Sequence, residues 1–230
     1  MTSRRVINAL TGLYFLVAIT EVMLELFKYI PGILILKPLI PATLIILYWN
    51  SSETRHPMYI LAMACSILTN ILFIPFDTDT FFLALLVFTV HRVVLLLYTI
   101  KLLKIRDYIP VVIGAAPIML LFFYLQGISQ VPDQLVIIMA VQNILIAILA
   151  GMGMANYIIG GPLRNTWLLI SCVLFISLQV IVFLERFYLN GSAIPALRPL
   201  AMGVNAFAFY TFYEFAISAE KSNAQRSSAG

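Results

Sequence analysis

The chain has 230 residues, of which 62% are hydrophobic and only 10% charged, against roughly a quarter charged in soluble domains. With a mean hydropathy of +1.02, that composition excludes a globule solvated by water on all sides. The 14 Lys and Arg against 10 Asp and Glu fall mostly between apolar runs, where they read as orientation signals, so nucleic acid is not expected as a partner.

A membrane span needs about twenty apolar residues, at about 1.5 Å each, to cross roughly 30 Å of hydrocarbon. On that ruler, helices are predicted near Val6–Phe27, Tyr29–Tyr48, Pro57–Pro75, Asp79–Ile100, Ile109–Gln126, Asp133–Tyr157, Thr166–Phe187 and Ile194–Ile217. The first run carries Glu21 and Glu25 and has no small-x-small cleavage site, so it reads as a retained helix and not a signal peptide. Pro31-Gly32, Pro57, Pro75, Pro110, Pro132 and Gly160-Gly161-Pro162 mark the junctions. No dyad alternation suggests a barrel. The expected fold is therefore all-α: a polytopic integral membrane protein with about eight transmembrane helices in one bundle over 1–217. A mobile cytoplasmic tail is expected over 218–230, which has little apolar content to bury.

Arg4, Arg5, Arg55, Lys101, Lys104, Arg106, Arg164, Lys221 and Arg226 fall on one side of that topology; Lys28 and Arg186 fall on the other, with Asp77 and Asp79. Both termini should thus be cytoplasmic, in a bacterial inner membrane. Trp49 and Trp167 sit at the same side, where an amphipathic ring prefers the headgroup layer. Lys37-Pro38-Leu39 echoes Arg198-Pro199-Leu200, but in the second and eighth helices, which no four-plus-four duplication would pair. Ala147, Gly151 and Ala155 form a small-x-x-x-small series that implies close helix packing.

An ionisable group inside the bilayer is costly and so marks a candidate site. By helical rise, Glu21 lies about 10 Å and Lys37 about 12 Å below the non-cytoplasmic end. Asn70 falls near about 8 Å, Gln179 about 12 Å, Gln142 and Asn143 about 14 Å, and His91 about 18 Å. Six helices thus bring a polar group to the outer half of the membrane, which predicts a polar cavity open towards the non-cytoplasmic side. Glu21 and Lys37 are expected to pair, with Glu25 on the face of Glu21. Tyr98 shares the face of His91, whereas Arg92 points elsewhere; Arg198 shares a face with Asn205. Cys65 and Cys172 read as small apolar fillers. With only His56 and His91 and no ligand-spaced cluster, neither metal nor other cofactor is expected.

These residues resemble the YhhN family of eight-helix membrane proteins, the lysoplasmalogenases. The resemblance rests on Lys37-Pro38-Leu39, on His91 with Tyr98-Thr99, on Leu174-Phe175-Ile176-Ser177 followed by Arg186-Phe187, and on the closing Tyr210–Ile217 segment with Glu214. Where the family carries Gly-Asp, this chain has Thr69-Asn70; where it carries the Asp of Ser-Asp, this chain has Leu178 or Gln179. The reaction that the resemblance implies is hydrolysis of a lysoplasmalogen vinyl ether to a fatty aldehyde and a glycerophospho-alcohol. It needs a general acid, and Asn or Gln cannot serve as one. Catalysis would therefore fall to Glu21, Lys37 and His91, with Asn70, Tyr98, Gln142, Asn143, Gln179 and Arg198 binding substrate. Two other readings stand beside the hydrolase: a catalytically silent protein that binds a membrane lipid or other amphiphile, or joins membrane-protein partners, and, third, a transporter.

Overall fold

The computed structural model describes residues 4–74, 78–103, 105, 107–159, 163–189 and 194–228. Pro75, Asp77, Lys104, Arg106 and Gly160-Gly161-Pro162, used above as junction and charge markers, lie outside them. Among the described residues the chain is helical, without strand: α1 Arg4–Leu26, α2 Ile30–Ser51, α3 Pro57–Leu72, α4 Thr78–Leu103, α5 Ile109–Ile128, α6 Asp133–Ile158, α7 Leu163–Phe183 and α8 Leu197–Ser228. Seven of these helices are long and apolar enough to cross a membrane, which is the build of an integral membrane protein. The exception is α3, whose 16 residues span only about 24 Å.

Sequence explains most of the helix ends. Pro31, Pro57 and Pro110 stand in the first turn of α2, α3 and α5, where a missing N–H costs nothing because it would have no partner in the helix. At the end of α1, Lys28 takes φ 53°. Tyr29 N then donates to Leu24 O at 3.0 Å and Lys28 N to Glu25 O at 3.2 Å, a Schellman closure made without glycine. Gly32 serves the same turn differently: a Cβ there would meet Leu24 Cδ1 at 2.4 Å.

The helices close into a ring in which α1 packs on α2, α2 on α3, α3 on α4, α4 on α6, α6 on α7, α7 on α8 and α8 on α1. α8 also touches α2 and α4, whereas α5 lies outside the ring against α6. Its outward residues Ile109, Val112, Ile113 and Leu120 are exposed, as a lipid-facing surface requires. The small-residue series on α6 makes this contact, since a Cβ on Gly151 would meet Val111 O at 2.3 Å and Gly114 faces Gly151. That is the close packing expected of it.

The ends of the bundle are chemically distinct. Where α2, α4 and α8 finish, Glu220 Oε1 accepts from Tyr48 Oη at 2.5 Å and Tyr98 Oη at 2.6 Å, and Oε2 accepts from Ser52 Oγ at 2.5 Å. Tyr59 stacks on Tyr48 with ring centres 3.9 Å apart, and His56 N donates to Tyr48 Oη at 2.8 Å. The stretch expected as a mobile tail from 218 thus continues α8 to Ser228, with Ala219 and Glu220 buried. A single buried carboxylate with three hydroxyl donors supplies the anchor that apolar content does not.

At the opposite end, where α1 and α7 finish and α2 and α8 begin, the last turn of α7 widens into a π-turn over Leu184–Tyr188. Such a widening re-aims side chains and is frequent at functional sites. Here it turns Glu185 and Arg186 onto the wall of an internal space.

Candidate functional site

That space is a cavity of about 120 Å³ enclosed by α2, α3, α4, α6, α7 with its π-turn, and α8. Its apolar wall includes Phe73, Phe81, Phe88, Met139 and Phe209. Its polar wall includes Lys37, Asn70, Arg92, Gln142, Gln179, Glu185, Arg186 and Arg198. A second space of about 410 Å³, lined by Glu25, Lys28, Ile33 and Ile194, lies towards the α1–α2 turn. Lys37, Glu185 and Arg198 face both spaces.

The charged partition between them follows from helix geometry. Lys37 Nζ pairs with Glu25 Oε1 at 2.8 Å, not with Glu21 as expected. Side chains lean towards the N-terminus of their own helix. In antiparallel α1 and α2 this sends Lys37 towards the α1–α2 turn, draws Glu25 back to meet it, and turns Glu21 away. The long lysine stem covers the remaining turn of helix. Arg198 Nε lies 3.6 Å from Glu25 Oε2, and Arg198 Nη1 lies 3.6 Å from Glu185 Oε1. The Lys-Pro-Leu and Arg-Pro-Leu echo, which marks no repeat, thus brings two cations to one carboxylate.

Asn70 is explained by a proline. Pro41 has no N–H, so the Lys37 carbonyl four residues earlier loses its helical donor. Asn70 Nδ2 fills that vacancy at 3.0 Å. An ionised carboxylate at position 70 could only accept and would leave the carbonyl unsatisfied. Gln179 likewise uses both ends of its amide: Oε1 accepts from Arg92 Nη2 at 2.6 Å and Nε2 donates to Asn143 Oδ1 at 3.4 Å. Asn70 and Gln179 are therefore both fixed by local hydrogen bonding. Gln142 Nε2 donates to Thr89 Oγ1 at 3.0 Å and Leu85 O at 3.2 Å.

Of the candidate residues, Lys37, Asn70, Gln142, Gln179 and Arg198 line the cavity. Asn143 stands behind the wall, donating to Gln126 Oε1 at 2.8 Å. His91 is fully buried beside it; its Nδ1 is 2.7 Å from Ala62 O, to which it donates, and its ring stacks 5.6 Å from that of Phe88. Phe88 and Phe209 stand against the ring, so His91 supports the cavity without lining it. Glu21 is also fully buried off the cavity, and neither carboxyl oxygen has a hydrogen-bond partner. Tyr98 belongs to the Glu220 cluster at the other end of the bundle. The charged residues that sequence reasoning passed over are Arg92, Glu185 and Arg186. Arg92 does point away from the His91–Tyr98 face, but this direction leads into the cavity. Its position in mid-helix was the available signal, because a cation at that depth requires a reason.

No known family, curated protein or solved structure matches this chain.

Proposed function

We propose that this chain is a YhhN-like membrane protein whose cavity binds a single-chain amphiphile of the lysophospholipid class. The observation that carries this reading is the joint lining: an aromatic and aliphatic wall able to take an alkyl chain, and Lys37, Arg92, Arg186 and Arg198 on the same wall to meet a polar head. Ligand pockets generally combine a mostly apolar lining with a few convergent polar groups. The Lys37-Pro38-Leu39 resemblance points to the same ligand class.

Binding stands ahead of vinyl-ether hydrolysis in this reading. Two of the three expected catalytic residues, Glu21 and His91, stand off the cavity, and proton transfer needs an acid within hydrogen-bond reach of the reacting atom. Among the described residues Glu185 is the carboxyl group on the wall, and it is tied to Arg198. With the Arg4, Arg5, Arg55 and Lys101 end taken as cytoplasmic, in a bacterial inner membrane, the larger space lies on the non-cytoplasmic side, the route for a ligand from the outer leaflet.

The test is mass spectrometry of lipid extracted from purified protein. A single-chain amphiphile enriched over the bulk lipid, and lost in Lys37→Ala, is the expected result; a lipid profile identical to that of the bulk membrane would refute the binding reading. Incubation with a lysoplasmenyl-phosphoethanolamine decides hydrolysis separately, because free aldehyde above a detergent blank would restore the enzyme reading.

A further inference from the structure

The charges around the cavity do not cancel uniformly. Lys37 and Arg198 share Glu25 and Glu185, and Arg186 in the π-turn has Glu185 as its electrostatic partner. Arg92 stands outside this group. It is buried, lies about half-way along α4 and faces the same cavity. Its guanidinium lies 4.5 Å from the centre of the Phe88 ring; Nη1 donates to Gln142 O at 3.0 Å and Nη2 to Gln179 Oε1 at 2.6 Å. Each of these partners is neutral. Among the described residues, no carboxylate lies within ion-pair distance of Arg92.

Neutral acceptors and an aromatic face hold a guanidinium in place but leave its charge uncompensated. A buried charge without a counter-charge is among the most costly features of a membrane interior. The two placed hydrogen bonds use two of five N–H donors and fix the plane of the fork, which matches a carboxylate or a phosphate. Apolar side chains surround that fork: Phe88, Met139, Leu178 and Phe209 share its cavity.

We propose that Arg92 is the seat of the ligand's negative charge, so that the ligand is an anionic single-chain amphiphile carrying a carboxylate or a phosphate ester. This rests on the amphiphile reading above and specifies the class of head. The acidic head sits on the Arg92 fork with Gln142 and Gln179 as its frame; the first carbons of the chain lie against the phenylalanines in the space of about 120 Å³ around it, and the rest of the chain reaches the adjoining space of about 410 Å³. Lys37, Arg186 and Arg198 each have a carboxylate beside them, whereas Arg92 has none among the described residues, so selection for charge falls to Arg92.

The experiment measures binding of three oleoyl amphiphiles to the purified full-length chain in a neutral detergent: oleate, oleoyl-lysophosphatidylglycerol and the uncharged monoolein. The expected result is a preference of at least about tenfold for one or both anions over monoolein, the scale of one charge-assisted contact. Oleate alone would assign a carboxylate ligand and the lysophospholipid alone a phosphate ester. Arg92→Gln should abolish the preference while leaving monoolein binding within about twofold, and Arg92→Lys should keep part of it. Equal binding of anions and monoolein to the wild type overturns the assignment, as does an undiminished preference in Arg92→Gln. Should Arg92→Gln not fold, the wild-type preference and its reduction in Arg92→Lys decide the matter. Absence of binding by all three overturns the amphiphile reading itself, and this proposal with it.

Discussion

The bundle buries two polar regions, one at each end, and they solve the problem of intramembrane charge in opposite ways. Around Glu220 a single carboxylate accepts three hydroxyl hydrogen bonds of 2.5 to 2.6 Å, packed among stacked tyrosines. Around Lys37 and Arg92, donors outnumber acceptors and the side chains line open space. Burial of charge is common to both and so distinguishes neither. What separates a structural latch from a binding site is whether the protein's own groups complete the hydrogen bonding and whether room remains for something else.

The largest expected effect lies at the latch. Glu220→Ala removes the common acceptor of three buried hydroxyls and should cost about 4 kcal/mol in unfolding of the detergent-solubilised protein, with Glu220→Gln costing about half. Amphiphile binding in whatever fraction stays folded should be unchanged. A loss of binding as great as the loss of stability would merge the two regions into one. Next, Lys37→Met should cost about 2 kcal/mol, because Glu25 keeps only the longer Arg198 contact. The double change Lys37→Met with Glu25→Met should recover part of that loss; strict additivity of the two changes would show that the pair is not coupled.

Smaller effects sharpen the comparison. Glu21 buries both carboxyl oxygens without a partner, so Glu21→Leu should stabilise the fold by about 1 kcal/mol. A loss of stability instead would reveal a partner for Glu21. His56, which begins α3 beside the latch, is held below the ordinary histidine value of 6.5 by burial and then by Lys101, against the opposing pull of Glu220. Its neutral Nδ1 accepts from Met58 N at 3.2 Å. The unfolded chain therefore takes up the proton first, and the stability that His56 contributes is present above pH about 6.5 and lost as pH falls below it. The partly exposed ring makes this the smallest effect. Amide protection in the first turn of α3, corrected for the intrinsic pH dependence of exchange, should fall below that pH in wild type and stay flat in His56→Asn.

The helices were legible because an apolar run of span length, bounded by Pro and Gly, admits few alternatives in lipid. The depth of Lys37, Asn70, Gln142 and Gln179 was legible for the same reason: rise per residue is fixed. Partner choice was not. Glu25 takes Lys37 in place of Glu21 because of the lean of side chains on antiparallel helices, a correction of one turn that depth arithmetic ignores. His91 and Tyr98 share a face, yet one stands behind the cavity wall and the other joins the Glu220 cluster two turns along. Facing inwards does not specify which interior feature is faced. The tail shows the converse error. Composition alone gives Ser218–Gly230 nothing to bury, and only the tyrosines of α2 and α4, distant in sequence, supply Glu220 with its partners.

On the proposed function, the cavity, and not the latch or the outer surface, receives the alkyl chain of an amphiphile. A lysophospholipid bearing a photoactivatable diazirine in its chain tests this most directly, with labelled peptides mapped by mass spectrometry. Labels are expected on Phe88, Met139 and Phe209, reduced by excess unlabelled lipid. Labels confined to lipid-facing residues such as Leu120 and Ile137, unaffected by competitor, would contradict this reading.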